Sequence, residues 1–202
     1  RSMLLLSPDE KVRKQENEAN EAKAKKLYEQ AIQADADSFD AYWQLADIYM
    51  RNAGTAFAQQ NHDEGQSSLA KADQVLEQRI VRGTPRAGVS EWRNRAYMGI
   101  TRWQAFEVNS LRLDRLRSRP GGATESETKQ MLARLTQIRK DFVADTNAGD
   151  KDPRAMFMKA RIEMFENNPF AAITTLSSLQ DLLEPGDLWA RTRLHLAELC
   201  LQ

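Results

Sequence analysis

Two apolar stripes separated by one short break constrain this chain more than any other feature. Ala24, Tyr28, Ala31 and Ile32 share one stripe of an otherwise polar helical run, and Tyr42, Leu45, Ala46 and Tyr49 share a second. Asp35-Ala36-Asp37-Ser38 lies between them. Bulky and small residues alternate at fixed offsets, as two antiparallel helices need if they are to pack closely. This is a packing pattern and not a catalytic one.

The same 3.6-residue periodicity recurs along the chain. Only nine Gly and six Pro occur, and they are clustered. The stretches between them are rich in Ala, Leu, Glu, Gln, Lys and Arg, which predicts an all-helical protein. Ser7 as cap, with Pro8 and Glu10, starts a helix running to about Ala34, whose first half is almost wholly polar. Asp37 or Ser38 caps a helix from Phe39 to about Asn52, with a break at Gly54. His62-Asp63-Glu64 opens the next, with Leu69, Ala72, Leu76 and Ile80 on one face and a stop at Gly83 and Pro85. Ser90 caps a long helix to about Arg117, its stripe Trp92, Ala96, Ile100, Trp103, Phe106, Leu111 and Leu113. Thr124 to Glu127 reads as a capping box for a helix with Met131, Leu132, Leu135, Ile138, Phe142 and Val143 inward, stopped by Asn147-Ala148-Gly149. Asp152-Pro153, Asn168-Pro169 and Asp187 start three more. The count is eight helices, and no segment alternates long enough to argue a strand.

Net charge is zero but unevenly spread. Residues 1–78 carry 9 basic and 14 acidic groups, residues 79–119 carry 10 and 3, and residues 120–202 carry 10 and 12. The basic middle could steer an acidic partner or dock against its acidic flanks, and docking is the expectation. Arg112, Arg115, Arg117 and Arg119 could contact phosphates, but a neutral chain lacks the basic excess of nucleic-acid domains, so no nucleic-acid partner is expected. Cys200, the single cysteine, rules out an internal disulfide and leaves the compartment open, with a cytoplasmic one favoured. The apolar run Met3 to Leu6 is too short to insert in a membrane. Arg1-Ser2 ahead of Met3 reads as a vector-derived scar.

Catalytic chemistry finds no residue set. His195 and Cys200 sit five apart on one helix and share no face well, which predicts a partly buried Cys and a solvated His. His62 reads as a local capping group. No phosphate-cradling Gly loop, paired-Cys spacing or His-x3-His pair occurs, so no metal, cofactor or enzymatic activity is expected.

The segment from Tyr42 to Tyr49 resembles the first-helix signature of a tetratricopeptide repeat, with Tyr for its Trp and Ala for its Gly. Ala24-x3-Tyr28-x2-Ala31 resembles the second helix of a preceding repeat, although Ala36 stands where the family has Pro. Leu69-x2-Ala72, Trp92-x3-Ala96, Met156-x3-Ala160 and Ala172-x3-Leu176-x2-Leu179 with Pro185 extend the likeness, specific over residues 22–52 and looser beyond. The resemblance implies one right-handed superhelical solenoid of antiparallel helix pairs. Its segments would be a lead-in (1–7), a leading helix (8–34), a repeat (38–82), a long-helix pair (90–146), a second repeat (153–183) and an unmated Leu-rich helix (188–201). That last helix suggests a piece of a longer array.

In such arrays the first helices line a concave groove. The resemblance then implies Trp43 and Asp47, Arg93 and Tyr97, and Phe157 and Arg161 as groove residues for a protein or peptide partner. Asp47 stands where the chaperone-binding carboxylate clamp has Asn, and would repel a terminal carboxylate. The function implied is a non-catalytic binding scaffold. The alternative is a spacer or self-association module of a larger protein, a homo-oligomer docking through Leu196 and Leu199.

Overall fold

The computed structural model describes residues 8–82 and 91–201. Within them the chain forms eight α-helices and no strand: α1 (Pro8–Ala34), α2 (Phe39–Ala58), α3 (His62–Val81), α4 (Glu91–Ser118), α5 (Glu125–Thr146), α6 (Pro153–Phe165), α7 (Pro169–Gln180) and α8 (Asp187–Cys200). The expected Ser7 and Ser90 caps, the stop at Gly83 and Pro85, and the lead-in lie outside the described residues.

Side-chain chemistry sets most helix starts. The Glu127 N–H donates to Thr124 Oγ1 while Glu127 Oε2 accepts from the Thr124 N–H, closing the expected capping box on α5. The Asp152 carboxylate accepts from the Arg154 and Ala155 N–H groups ahead of α6, and the Asn168 side chain accepts from Ala171 ahead of α7. Asn147 at φ 54° ends α5 in the left-handed region. Three helices start where expected but are capped differently. Asn61, one residue before His62, caps α3 by accepting from the Glu64 N–H. Gly186, not Asp187, precedes α8, with no side-chain cap. Ser38 precedes α2 but its hydroxyl caps nothing.

Gly54 does not break α2, which continues to Ala58. A helical glycine costs about 1 kcal/mol relative to alanine. Here Ala53 and Ala56 on either side of it are buried, and their packing carries the helix through.

Each helix packs against the next. Along α1 and α2, Asn52 Nδ2 donates to Glu21 Oε1 (2.9 Å) and the Lys25 ammonium lies 5.4 Å over the Tyr49 ring, fixing an antiparallel pair. Ile32, Tyr42, Leu45 and Ala46 are buried there, with Tyr28, Ala31 and Tyr49 packed around them. Only the second half of α1 joins that contact, and Val12 in its first half is exposed. At the α2–α3 crossing a Cβ on Gly65 would fall 2.5 Å from the Phe57 ring, so glycine permits the approach.

Alternate helices also meet. The Phe39 and Tyr97 rings stack between α2 and α4, and Trp103 meets Phe157 between α4 and α6. His195 of α8 meets Phe157 in turn, and Arg134 of α5 pairs with Asp73 and Glu77 of α3. Even-numbered helices thus touch one another, as a chain of helix pairs requires, and the whole is compatible with a helical repeat.

The largest departure from expectation is α4. Trp92, Ala96 and Ile100 of its expected inward stripe are exposed, while Gly99, Thr101, Val108, Asn109 and Ser110 are buried beside the expected Phe106 and Leu113. The helix is flanked by α3, α5 and α6, so its buried surface is wider than one stripe and includes polar groups. Asn109, with no exposed surface, donates to Asp73 Oδ1 at 2.7 Å.

The basic middle segment docks against its flanks. Arg102 pairs with Asp141 and Asp145 of α5, Arg112 with Asp73 of α3, and Arg119 with Glu127. Arg115 lies over the Phe57 ring, and Arg117 donates to the Phe165 carbonyl.

Phe106, fully buried at this junction, should cost about 3–5 kcal/mol when truncated to Ala. Removing the α5 cap with Thr124→Ala should cost about 1 kcal/mol. Urea unfolding of the two variants checks the contrast, and equal losses would deny α4 its central place.

Candidate interaction surface

The six residues expected in a groove divide into two groups. Trp43 on α2 is 43% exposed, and Asp47 one turn on pairs with Arg51 at 3.1 Å. Arg93 and Tyr97 lie near the start of α4, where the Tyr97 ring stacks on Phe39 of α2 at 4.6 Å between centroids and 22° between planes. These four belong to neighbouring elements that the ring stack joins.

Phe157 and Arg161 of α6 face inward. Phe157 has no exposed surface. Its ring lies 5.8 Å from Trp103 and 5.8 Å from His195, with the Arg191 guanidinium 4.9 Å above it. Arg161 Nη2 donates to Asp114 Oδ2 at 2.7 Å, and its guanidinium lies 4.7 Å over Phe165. The physical reason is α8. It ties to α4 through Arg191 and Glu107 (2.8 Å) and lies against the side of α6 on which Phe157 sits. Neither residue is presented to an incoming chain in this arrangement.

Two large residues assigned to the core are, like Ala96, instead on the surface. Trp92 is 67% exposed and Ile100 36% exposed, both on α4. With Trp43 they add apolar area to the even-numbered helices near the start of the chain. An indole so open is costly to leave in water and is the residue type most enriched in binding hot spots. Sequence periodicity hid them, because apolar residues at helical spacing read as core.

A separate open groove of ≈ 630 Å³ runs among α1, α2 and α3. Its floor includes Ile32, Leu45, Tyr49 and Val75, and its rim Glu29 and Lys71.

The candidates for chemistry are scattered. Among the described residues no group of His, Cys, Asp and Glu is disposed to hold a metal ion. His62 Nδ1 is buried without a partner, and its ring tilts against Phe57. Cys200 is exposed, whereas His195 is largely buried, the reverse of expectation. His195 Nδ1 sits 2.9 Å from Glu198 Oε2. Burial holds its imidazole below the ordinary pKa, the Arg161 and Arg191 charges push the same way, and Glu198 opposes them. Among the described residues no helix is long and apolar enough to cross a membrane.

Comparison with known proteins returns no matching family model, no matching curated protein and no matching solved structure.

The His195 shift has a direct consequence. An unfolded histidine titrates near about 6.5, and its folded counterpart titrates lower. As pH falls through about 6.5 the unfolded chain takes up a proton first, so the contribution present at higher pH is lost. Melting at about pH 5.5 should therefore fall below that at about pH 7.5, and His195→Phe should narrow the gap. An unchanged gap in the variant would remove His195 from the account.

Proposed function

We propose that the chain is a right-handed superhelical array of tetratricopeptide-like helix pairs that binds a protein or peptide and catalyses no reaction. The observation that carries this reading is the exposure of Trp43 and Trp92 on α2 and α4, two even-numbered helices in contact. Helical-repeat proteins commonly offer one layer of helices as an extended binding surface. Trp43, Trp92, Ile100 and Tyr97 would supply apolar and aromatic contacts, with Asp47 and Arg93 at their margins. The surface so proposed is confined to α2 and α4, because α8 occupies the α6 side.

Peptides selected from a displayed library on the full chain test the reading. Trp43→Ala and Trp92→Ala should each weaken a selected peptide by more than about 1 kcal/mol, the scale of a hot-spot residue, with little change in thermal unfolding. Phe170→Ala, at a still more open aromatic on α7 (83% exposed), serves as the control and should leave binding intact. Peptides that bind all three variants like the parent chain would sink the proposal.

A second reading, self-association through the α7–α8 end, is favoured by the exposure of Phe170, Leu182, Leu194 and Leu201 there. The expected docking residues Leu196 and Leu199 pack inward instead. Leu194→Glu is thus the informative substitution, and a concentration-dependent dimer that it abolishes in light scattering would support this reading.

A further inference from the structure

Where the α1–α2 turn meets α3 and the start of α4, an opening of ≈ 170 Å³ is lined by both cationic and anionic side chains. Arg79 of α3 reaches it with 5% of its surface exposed, and its Nε and Nη1 meet no acceptor. Arg112 and Arg134 also leave Nε without a partner, but each of those guanidiniums pairs with a carboxylate through another nitrogen. Arg79 forms no ion pair among the described residues. A buried charge without a counter-charge is costly, and native structures rarely keep one without a reason.

The rest of the lining supplies two complementary halves. On the cationic side stand Arg79, Arg93, the buried and unpartnered Asn94 Nδ2, and the first turn of α2, which no Ser38 side-chain bond caps. The amides of such a turn attract a carboxylate or phosphate. Arg93 rests against Trp92 at 5.7 Å and has no carboxylate partner among the described residues. On the anionic side, Asp37 and Asp40 likewise have no cationic partner among the described residues. Asp35 also lines the opening, and its Oδ1 accepts from the Asp37 N–H. The stacked rings of Phe39 and Tyr97 wall one side.

From this juxtaposition we infer that the opening binds a small zwitterion, a free α-amino acid, with its carboxylate toward Arg79 and Asn94 and its ammonium toward Asp37 and Asp40. The Asp37 and Asp40 carboxylates make it hostile to a phosphate dianion, and two guanidiniums make it hostile to a simple amine. A ligand with both charged groups on one carbon satisfies both halves at once. The ring wall favours an apolar side chain. The opening borders the proposed peptide surface and shares Arg93 and Tyr97 with it, but Arg79, Asp37 and Asp40, which carry this inference, lie outside that surface.

Titration calorimetry on the full chain tests this with L-leucine and L-phenylalanine. The controls are N-acetyl-leucine, which lacks the ammonium, leucinamide, which lacks the carboxylate, and inorganic phosphate. The free amino acid should bind at least about tenfold more tightly than either blocked form, a difference of about 1.4 kcal/mol. Arg79→Gln should abolish binding. Because Arg79 is buried, Asp40→Asn at the exposed rim provides a variant with little reason to misfold. It should weaken the free amino acid while leaving N-acetyl-leucine unchanged. Phosphate binding in place of amino-acid binding would overturn the inference. So would equal binding of free and blocked forms, no binding at about 10 mM, or affinity unaltered in both variants.

Discussion

One carboxylate holds the middle of this molecule in register. Asp73 of α3 accepts from Asn109 Nδ2 of α4, and it pairs with Arg112 of α4 and Arg134 of α5. Three helices are pinned to one point along their lengths. Apolar stripes alone would let long helices slide by a turn at small cost, since one leucine contact is much like the next. A half-buried carboxylate with fixed donors does not permit that, because slippage would strip Asp73 of its Asn109 hydrogen bond and of the Arg112 and Arg134 ion pairs together. Half-buried Arg134, held above its ordinary pKa range by Glu77 and Asp73 against the opposing effect of burial, stays charged throughout. The position of the start of α4 beside α2, and with it the Phe39–Tyr97 stack, depends on this register.

The far end is fixed differently. Trp103 packs against both apolar cores, the larger formed by residues from α1 to α6 and the smaller by residues from α6 to α8. Arg191 reaches from α8 over Trp103 and Phe157 while pairing with Glu107. Tilted aromatic rings and a guanidinium exclude water from the inner side of α6, and that exclusion depresses the His195 pKa. The even-numbered helices are therefore unlike one another in what they offer. The side nearest α8 is filled by the chain's own residues, and the α2–α4 side carries open indoles.

Much of the fold was legible because helix starts are local chemistry. Thr124 with Glu127, Asp152 with Pro153 and Asn168 with Pro169 each act within four residues, so sequence reveals them without tertiary knowledge. The Ala24 to Tyr49 pattern was legible for the same reason, since two adjacent helices bury each other. What failed was non-local. Trp92 and Ile100 fit a stripe that α4 does not bury, because α3 and α5 cover other faces of that helix. Thr101, Asn109 and Ser110 looked like surface and are buried, their environment supplied by residues tens of positions away. Phe157 and Arg161 fell to α8, whose docking no spacing along α6 could announce. Gly54 read as a stop because the buried alanines beside it are invisible as an energetic argument in a composition. Arg79 gave no signal whatever, being one arginine on a helix otherwise read from its apolar face.

That last residue bears on how stability and binding are divided in this protein. A guanidinium removed from water without a counter-ion weakens the fold by several kcal/mol in typical cases, and here the surrounding apolar core must offset it. Any ligand that supplies the missing anion binds the folded chain and not the unfolded one. It then returns stability as RT ln(1 + [L]/Kd), about 2.7 kcal/mol at a hundredfold excess over Kd. The gain would fall on the contacts among the α1–α2 turn, the end of α3 and the start of α4, because those elements line the opening. A packing residue at position 79 would make the fold more stable alone and indifferent to ligand. An arginine with no ion pair among the described residues makes the same junction weaker alone and responsive, which is the physical distinction between a core position and a binding position.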